Sequence, residues 1–141
     1  GYACTRRSQP AGPRPAAAES PPVILGDTIG ELRRFYGLCR VAFIGRSLFP
    51  QGGSDLIEAA ALGRPVLLGP HMDNFIEATE MLLAAGAART VRDAAELADM
   101  VQEICGDAEL WRRMGAAGQA AIVSRQGATR VAVERIRALL D

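Results

Sequence analysis

The stretch VAFIGRSLFPQGGSDLIEAAALGRPVLLGP, residues 41–70, decides the fold. It opens with an apolar run, Val41 to Ile44, closed by Gly45, and ends with a second, Pro65-Val-Leu-Leu-Gly69. Short unbroken apolar runs of this kind suit parallel strands buried on both faces. Between them, Leu56 to Leu62 is rich in Ala and Leu and is followed by Gly63, which predicts a short helix with a natural stop. Strand, glycine-marked loop, helix and strand make a βαβ unit, and this implies a parallel sheet with right-handed crossovers.

The same alternation extends in both directions. Upstream, Pro22-Val-Ile-Leu-Gly26 reads as another buried strand. Asp27-Thr28 offers an N-cap for a helix carrying Ile29, Leu32, Phe35 and Tyr36 as far as Gly37. Downstream, a helix is expected from about Asn74 to Ala85, then a weak strand from Ala87 to Val91. Asp93 caps a helix with Leu97, Met100, Val101 and Ile104 on one face, and Asp107 caps another with Leu110, Trp111, Met114 and Ile122. Gly127 precedes a last apolar stretch holding Val131, Val133, Ile136, Leu139 and Leu140. The expected architecture is α/β, a Rossmann-like parallel sheet with flanking helices. Residues 1–22 lack a starting Met and are crowded with Pro, Ala and Arg, so they read as a mobile segment or loop at the start of a fragment of a larger protein. Residues 23–141 form the domain.

Composition narrows the function classes. With 141 residues there is room for one core. Lys plus Arg and Asp plus Glu are 16 each, so the basic excess of a nucleic-acid binder is lacking, and no nucleic-acid partner is expected. Every basic residue is Arg, which matches a high-GC coding bias better than a phosphate-binding role. Cys4, Cys39 and Cys105 have no metal or redox spacing, and Cys39 and Cys105 are expected to be buried as small apolar residues. A single His excludes multi-histidine metal sites, and nothing calls for a cofactor. No apolar run approaches the roughly 20 residues of a membrane span, so the chain is expected to be soluble.

Ligands of open parallel sheets bind beyond the carboxyl ends of the strands. Three glycine-marked ends fall there: Gly26-Asp27-Thr28, Gly45-Arg46-Ser47 and Gly69-Pro70-His71. Neighbouring strands would set them side by side. Gly52 and Gly53 lie where a helix begins, so backbone N–H groups can approach an anion, with Ser54 adding a hydroxyl. The plainer reading is a tight turn capped by Ser54 or Asp55. Glu58 falls one turn into an apolar helix. It reads either as a carboxylate for the two hydroxyls of a ribose or as a solvent-facing acid. His71, with Asp73 and Asn74 nearby, is either a structural loop residue or a ligand contact. Arg46 is placed to meet a phosphate or to be a surface charge.

Taken together, Val23-Ile-Leu-Gly-Asp-Thr-Ile-Gly-Glu-Leu32, Tyr36-Gly37, Val41-Ala-Phe-Ile-Gly-Arg-Ser-Leu48, Gly52-Gly53, Glu58-Ala59-Ala60, Pro65-Val-Leu-Leu-Gly-Pro-His71 and Asn74-Phe75 resemble, in order, a known family. It is the C-terminal domain of 3-deoxy-D-manno-octulosonic acid (Kdo) transferase, an inverting glycosyltransferase of the two-Rossmann-domain (GT-B) type. The resemblance covers about residues 20 to 140. It implies a donor-binding domain for CMP-Kdo in an enzyme that glycosylates lipid A precursor during lipopolysaccharide biosynthesis at the cytoplasmic face of the bacterial inner membrane. The catalytic base, acceptor site and membrane contact would belong to an N-terminal domain, leaving these residues inactive alone. The resemblance further implies that Gly45, Arg46, Ser47, Gly52, Gly53 and Ser54 face the phosphate, Glu58 holds the ribose, and Gly69, His71 and Asn74 border the donor. Two motifs depart from the family pattern, which has Gly-Gly-Ser at 45–47 and Gly-Gly-His-Asn at 52–55. Rival readings are a GT-B domain for a UDP- or GDP-sugar, and a non-catalytic binding or scaffold module.

Overall fold

The computed structural model describes residues 4–9, 23–125, 136, 137 and 139. They fall into two units, residues 1–35 and 36–141.

In the first unit, β1 (Cys4–Arg6) pairs in parallel with β2 (Val23–Leu25), with Cys4 opposite Val23. All three residues of β2 are exposed. This differs from the expected buried strand, since β2 finds its ladder partner in β1. Asp27 and Thr28 do not cap the next helix. Both Asp27 carboxylate oxygens accept from Ser8, one from its amide at 2.9 Å and one from its hydroxyl at 2.6 Å, and these bonds hold the carboxyl below its usual pKa. Thr28 donates instead to Glu31. With both side chains occupied, α1 starts later than expected and spans Leu32–Leu38.

The second unit carries a parallel sheet in the order β3 (Ala42–Phe43), β4 (Val66–Leu68), β5 (Ala88–Thr90). Helices α2 (Ile57–Ala61), α3 (Ile76–Ala84), α4 (Ala94–Gly106) and α5 (Ala108–Ser124) flank it. The α/β, Rossmann-like reading is thus correct. β4 is central and buried throughout, and its period of two sorts its side chains into two cores. Val66 and Leu68 join Ile44, Leu56, Ala59, Ala60 and Leu82 on one side. Leu67 joins Val91, Ile104, Leu110 and Met114 on the other. Each fully buried aliphatic side chain contributes about 1.5–3 kcal/mol relative to exposure, so this three-residue strand anchors both layers.

Asp93 and Asp107 cap α4 and α5 as the sequence suggested, each accepting two backbone N–H bonds. Helix α5 approaches α2 closely because glycines line the contact. A Cβ at Gly115 would overlap the Gly63 carbonyl, and one at Gly118 would come within 3.2 Å of the Ala60 carbonyl. Trp111 pins α5 to the loop before β3 through an indole N–H bond to the Arg40 carbonyl, 2.6 Å. Contrary to expectation, Cys105 is exposed on α4 and Cys39, just past the end of α1, is only half-buried. The expected stretch after Gly127 lies largely outside the described residues. Of it, Ile136 and Leu139 are helical and exposed. The reading of residues 1–22 falls mostly outside them too, apart from β1 and the turn that follows. No helix among the described residues is long and apolar enough to cross a membrane.

Candidate functional site

The carboxyl ends of β3 and β4 open into two loops that pack on each other. Parallel pairing of Ala42 with Val66 and Phe43 with Leu67 carries the ladder to the Ile44 N–H, which donates to the Leu67 carbonyl at 2.9 Å. In that register the next rung would join the Gly69 N–H to the Ile44 carbonyl. Ser47 takes its place. The hydroxyl accepts from the Gly69 N–H at 2.7 Å and donates to the Ile44 carbonyl at 2.6 Å. The residue is fully buried. The expectation that the Ser47 side chain faces a phosphate is therefore corrected, since both of its bonds are made inside the protein. It is a strut between strand ends, and the bond from the His71 N–H to the Ser47 carbonyl, 3.0 Å, reinforces the joint. Gly69 is needed there because a Cβ would overlap the Ser47 backbone.

Gly52 and Gly53 adopt left-handed backbone, φ +80° and +73°, which glycine alone adopts readily. Both are buried under the β4 loop. A Cβ at Gly52 would overlap the Asn74 side chain, and one at Gly53 would meet the Met72 sulfur. The Gly53 N–H donates to the Arg46 carbonyl at 3.2 Å, and the Asn74 N–H to the Gly52 carbonyl at 3.3 Å. The structure thus gathers Arg46, Gly52, Gly53, Gly69, His71 and Asn74 around one junction. Gly45 lies exposed at the end of β3. Met72 and Gln51 were missed: Met72 fills the space beneath Gly53, and the Gln51 carbonyl accepts from Arg46, a backbone role that no side-chain pattern announces.

The glycine turn does not itself open the helix. The Asp55 carboxylate accepts from the Ile57 N–H at 2.8 Å, so α2 starts at Ile57 and is only five residues long. A helix this short has few aligned peptide dipoles, so less positive potential is available than a long helix start would give. What remains is a run of three amides, Ser54, Asp55 and Leu56, that donate to no acceptor among the described residues; Leu56 is fully buried, so the accessible ones are Ser54 and Asp55. Glu58 follows in the first turn of α2. It is half-buried, and its carboxylate has no hydrogen-bond or ion-pair partner among the described residues. Tyr36 stands near enough to feel it. Burial first, and then the Glu58 and Asp55 charges, push the Tyr36 phenol above its ordinary pKa.

Arg46 is exposed with φ +62°, the one left-handed non-glycine residue among those described. For a residue with a Cβ this conformation costs roughly 1–2 kcal/mol. Its guanidinium donates to the Gln51 carbonyl at 3.1 Å. A cavity of about 370 Å³ lies elsewhere, lined by Thr90, Arg92, Glu96, Asp99 and Met100. Its Arg92 and Glu96 already pair with each other, which leaves little charge for a ligand. The glycine junction offers the better site: unmet amides and an unmet carboxylate suit a ligand that is an anion at one end and a hydroxyl donor at the other.

No protein-family model matches the chain. It is 40% identical over 108 residues to the 3-deoxy-D-manno-octulosonic acid transferase of Bordetella pertussis, covering 77% of this chain and 25% of that protein. It is 33% identical over 124 residues to the enzyme of the same name from Haemophilus influenzae, covering 87% and 29%. The chain thus spans about a quarter of the length of the curated relatives it matches. Among solved structures it resembles the C-terminal CMP-Kdo binding domain of WaaA from Acinetobacter baumannii. That match has a TM-score of 0.74 at 27% identity, over 86% of this chain and 61% of that one.

Proposed function

We propose, from the premise that this chain belongs to the Kdo transferase family as a counterpart of its C-terminal domain, that it binds the CMP-Kdo donor. The observation that carries the reading is the pair of accessible, unpartnered amides at Ser54 and Asp55, just before the unpartnered Glu58 carboxylate. The amides would take the phosphate and Glu58 the two ribose hydroxyls. Gly52 and Gly53 make the left-handed turn that packs beneath the β4 loop, while His71 and Asn74 border the site from that loop. Ser47 and Gly69 fix the distance between the two loops without touching the ligand.

In the whole enzyme the reaction is displacement at the anomeric carbon of Kdo with CMP leaving. The acceptor is lipid A precursor, at the cytoplasmic face of the bacterial inner membrane. N–H groups aimed at the departing phosphate stabilise the negative charge that grows on it. These 141 residues supply donor binding, and turnover belongs to the longer protein. Calorimetry with CMP, UDP and GDP tests the reading. CMP is expected to bind more tightly than the other two. Preference for UDP or GDP would move the domain to a different sugar donor, and no binding of any would leave it a scaffold.

A further inference from the structure

We infer that the edge of the sheet opposite the glycine junction carries a docking surface for anionic phospholipid, built from Leu38, Arg40, Arg64 and Trp111. This surface is independent of the donor site. Ala42 pairs with Val66, and Arg40 and Arg64 each lie two residues before that pair, at the amino ends of β3 and β4. Parallel register sets them side by side, away from the carboxyl ends that hold the glycine loops. Trp111 of α5 meets both. The Arg40 guanidinium stands 5.5 Å from the indole centroid and that of Arg64 5.7 Å.

Neither guanidinium has an acidic partner among the described residues, whereas Arg7, Arg34, Arg89, Arg92 and Arg112 each pair with a glutamate. Arg64 donates to a neutral group, the Gly37 carbonyl, at 2.6 Å. Arg40 serves the fold through its backbone, whose carbonyl accepts from the Trp111 indole N–H at 2.6 Å, and its exposed side chain rests on the indole. The acids near Trp111 on α5 are engaged: Glu109 pairs with Arg112, and Asp107 accepts from the Glu109 and Leu110 amides. Two cations thus share one indole without a counter-charge, and their mutual repulsion is relieved when an anion arrives.

The apolar half of the surface comes from Leu38, 85% exposed at the end of α1. It lies between Gly37, which Arg64 bonds, and Arg40, so an exposed leucine and a half-buried indole adjoin two unpaired guanidiniums. A dissolved anion would use the guanidiniums and leave the leucine in water. A bilayer surface uses all four groups. Lipid phosphates take the arginines, while the leucine and the edge of the indole enter the boundary between headgroups and acyl chains, where an amphipathic ring is at home.

Trp111 is the single tryptophan of the chain, so its emission reports on the surface directly. The 141-residue chain is mixed with vesicles of phosphatidylcholine alone, with vesicles of phosphatidylcholine and phosphatidylglycerol in equal parts, or with inorganic phosphate. We expect a blue shift with the anionic vesicles only, reversed at about 1 M salt, where the screening length falls to about 3 Å. Arg40→Gln should weaken vesicle binding roughly fivefold, the scale of one basic side chain at an anionic leaflet. Leu38→Ser should weaken it by about threefold or more, the scale of one methylene kept from the apolar layer. Both side chains are exposed, so the variants keep the fold. An equal shift with phosphatidylcholine alone would overturn the assignment, as would no shift with any of the three or unaltered vesicle binding by Arg40→Gln. An equal shift with inorganic phosphate would overturn it too, and give the arginine pair to a dissolved anion.

Discussion

Removing the Ser47 hydroxyl tests the junction between the strand ends most directly. Ser47→Ala deletes the group that bridges the Gly69 N–H and the Ile44 carbonyl at 2.7 and 2.6 Å in a fully buried position. Each backbone group left unmet costs about 1–3 kcal/mol. The strands cannot simply close up and restore the missing rung, because Gly69 already touches the Ser47 backbone. We therefore expect a loss of about 2–4 kcal/mol, a large share of the roughly 5–15 kcal/mol that holds a domain together. Urea denaturation followed by circular dichroism reads this directly. With a slope of about 2 kcal/mol/M, the midpoint should fall by roughly 1–2 M with the slope unchanged. A midpoint within about 0.3 M of the parent would refute the reasoning, because the hydroxyl would then not be replacing a ladder bond.

At the same joint, Gly69→Ala forces a Cβ into the Ser47 backbone and should cost about 1–3 kcal/mol; combined with Ser47→Ala it should depart from additivity, as a double-mutant cycle in urea would show. Glu58→Gln should weaken CMP binding roughly tenfold or more while leaving the thermal midpoint in place, since the carboxylate has no partner among the described residues; unchanged calorimetric affinity would remove Glu58 from the site. The same variant should lower the Tyr36 ionisation, because one of the charges that raises it is gone; absorbance against pH near 295 nm reads this, and an unmoved curve would separate the two side chains. The Asp107 carboxyl is held below its usual pKa by the Leu110 and Glu109 N–H bonds, so its capping contribution is complete above about pH 4 and is lost as pH falls through the lower folded value. Asp107→Asn, which still caps but does not titrate, should make the urea midpoint less sensitive to acid over that window.

The central strand and the two aspartate caps were legible in residue order alone. Val66-Leu-Leu68 admits little but a doubly buried strand, and Asp93 and Asp107 precede apolar periodicities without ambiguity. The partner of β2 was not legible, because a short apolar run says that a strand exists but not which ladder it joins. The site was half legible. Gly52-Gly53 announces left-handed backbone, whereas Ser47 beside a glycine reads equally as a ligand contact or a strut, and only its burial separates them. Residue order offered Ser54 or Asp55 as the cap of the turn, and the Ile57 N–H bond falls to Asp55. Arg46 gave no sign of its backbone conformation, since arginine rarely takes one of that hand.

The glycine contact between α5 and α2 gives the ribose-side carboxylate an unexpected keel. Glu58 rides on a single helical turn too short to hold its own bearing, and that turn lies backbone to backbone against a long helix supplied much later in the chain. A methyl group at position 115 would therefore tilt a residue it never meets, and the injury should surface as poorer nucleotide affinity before the domain itself gives way.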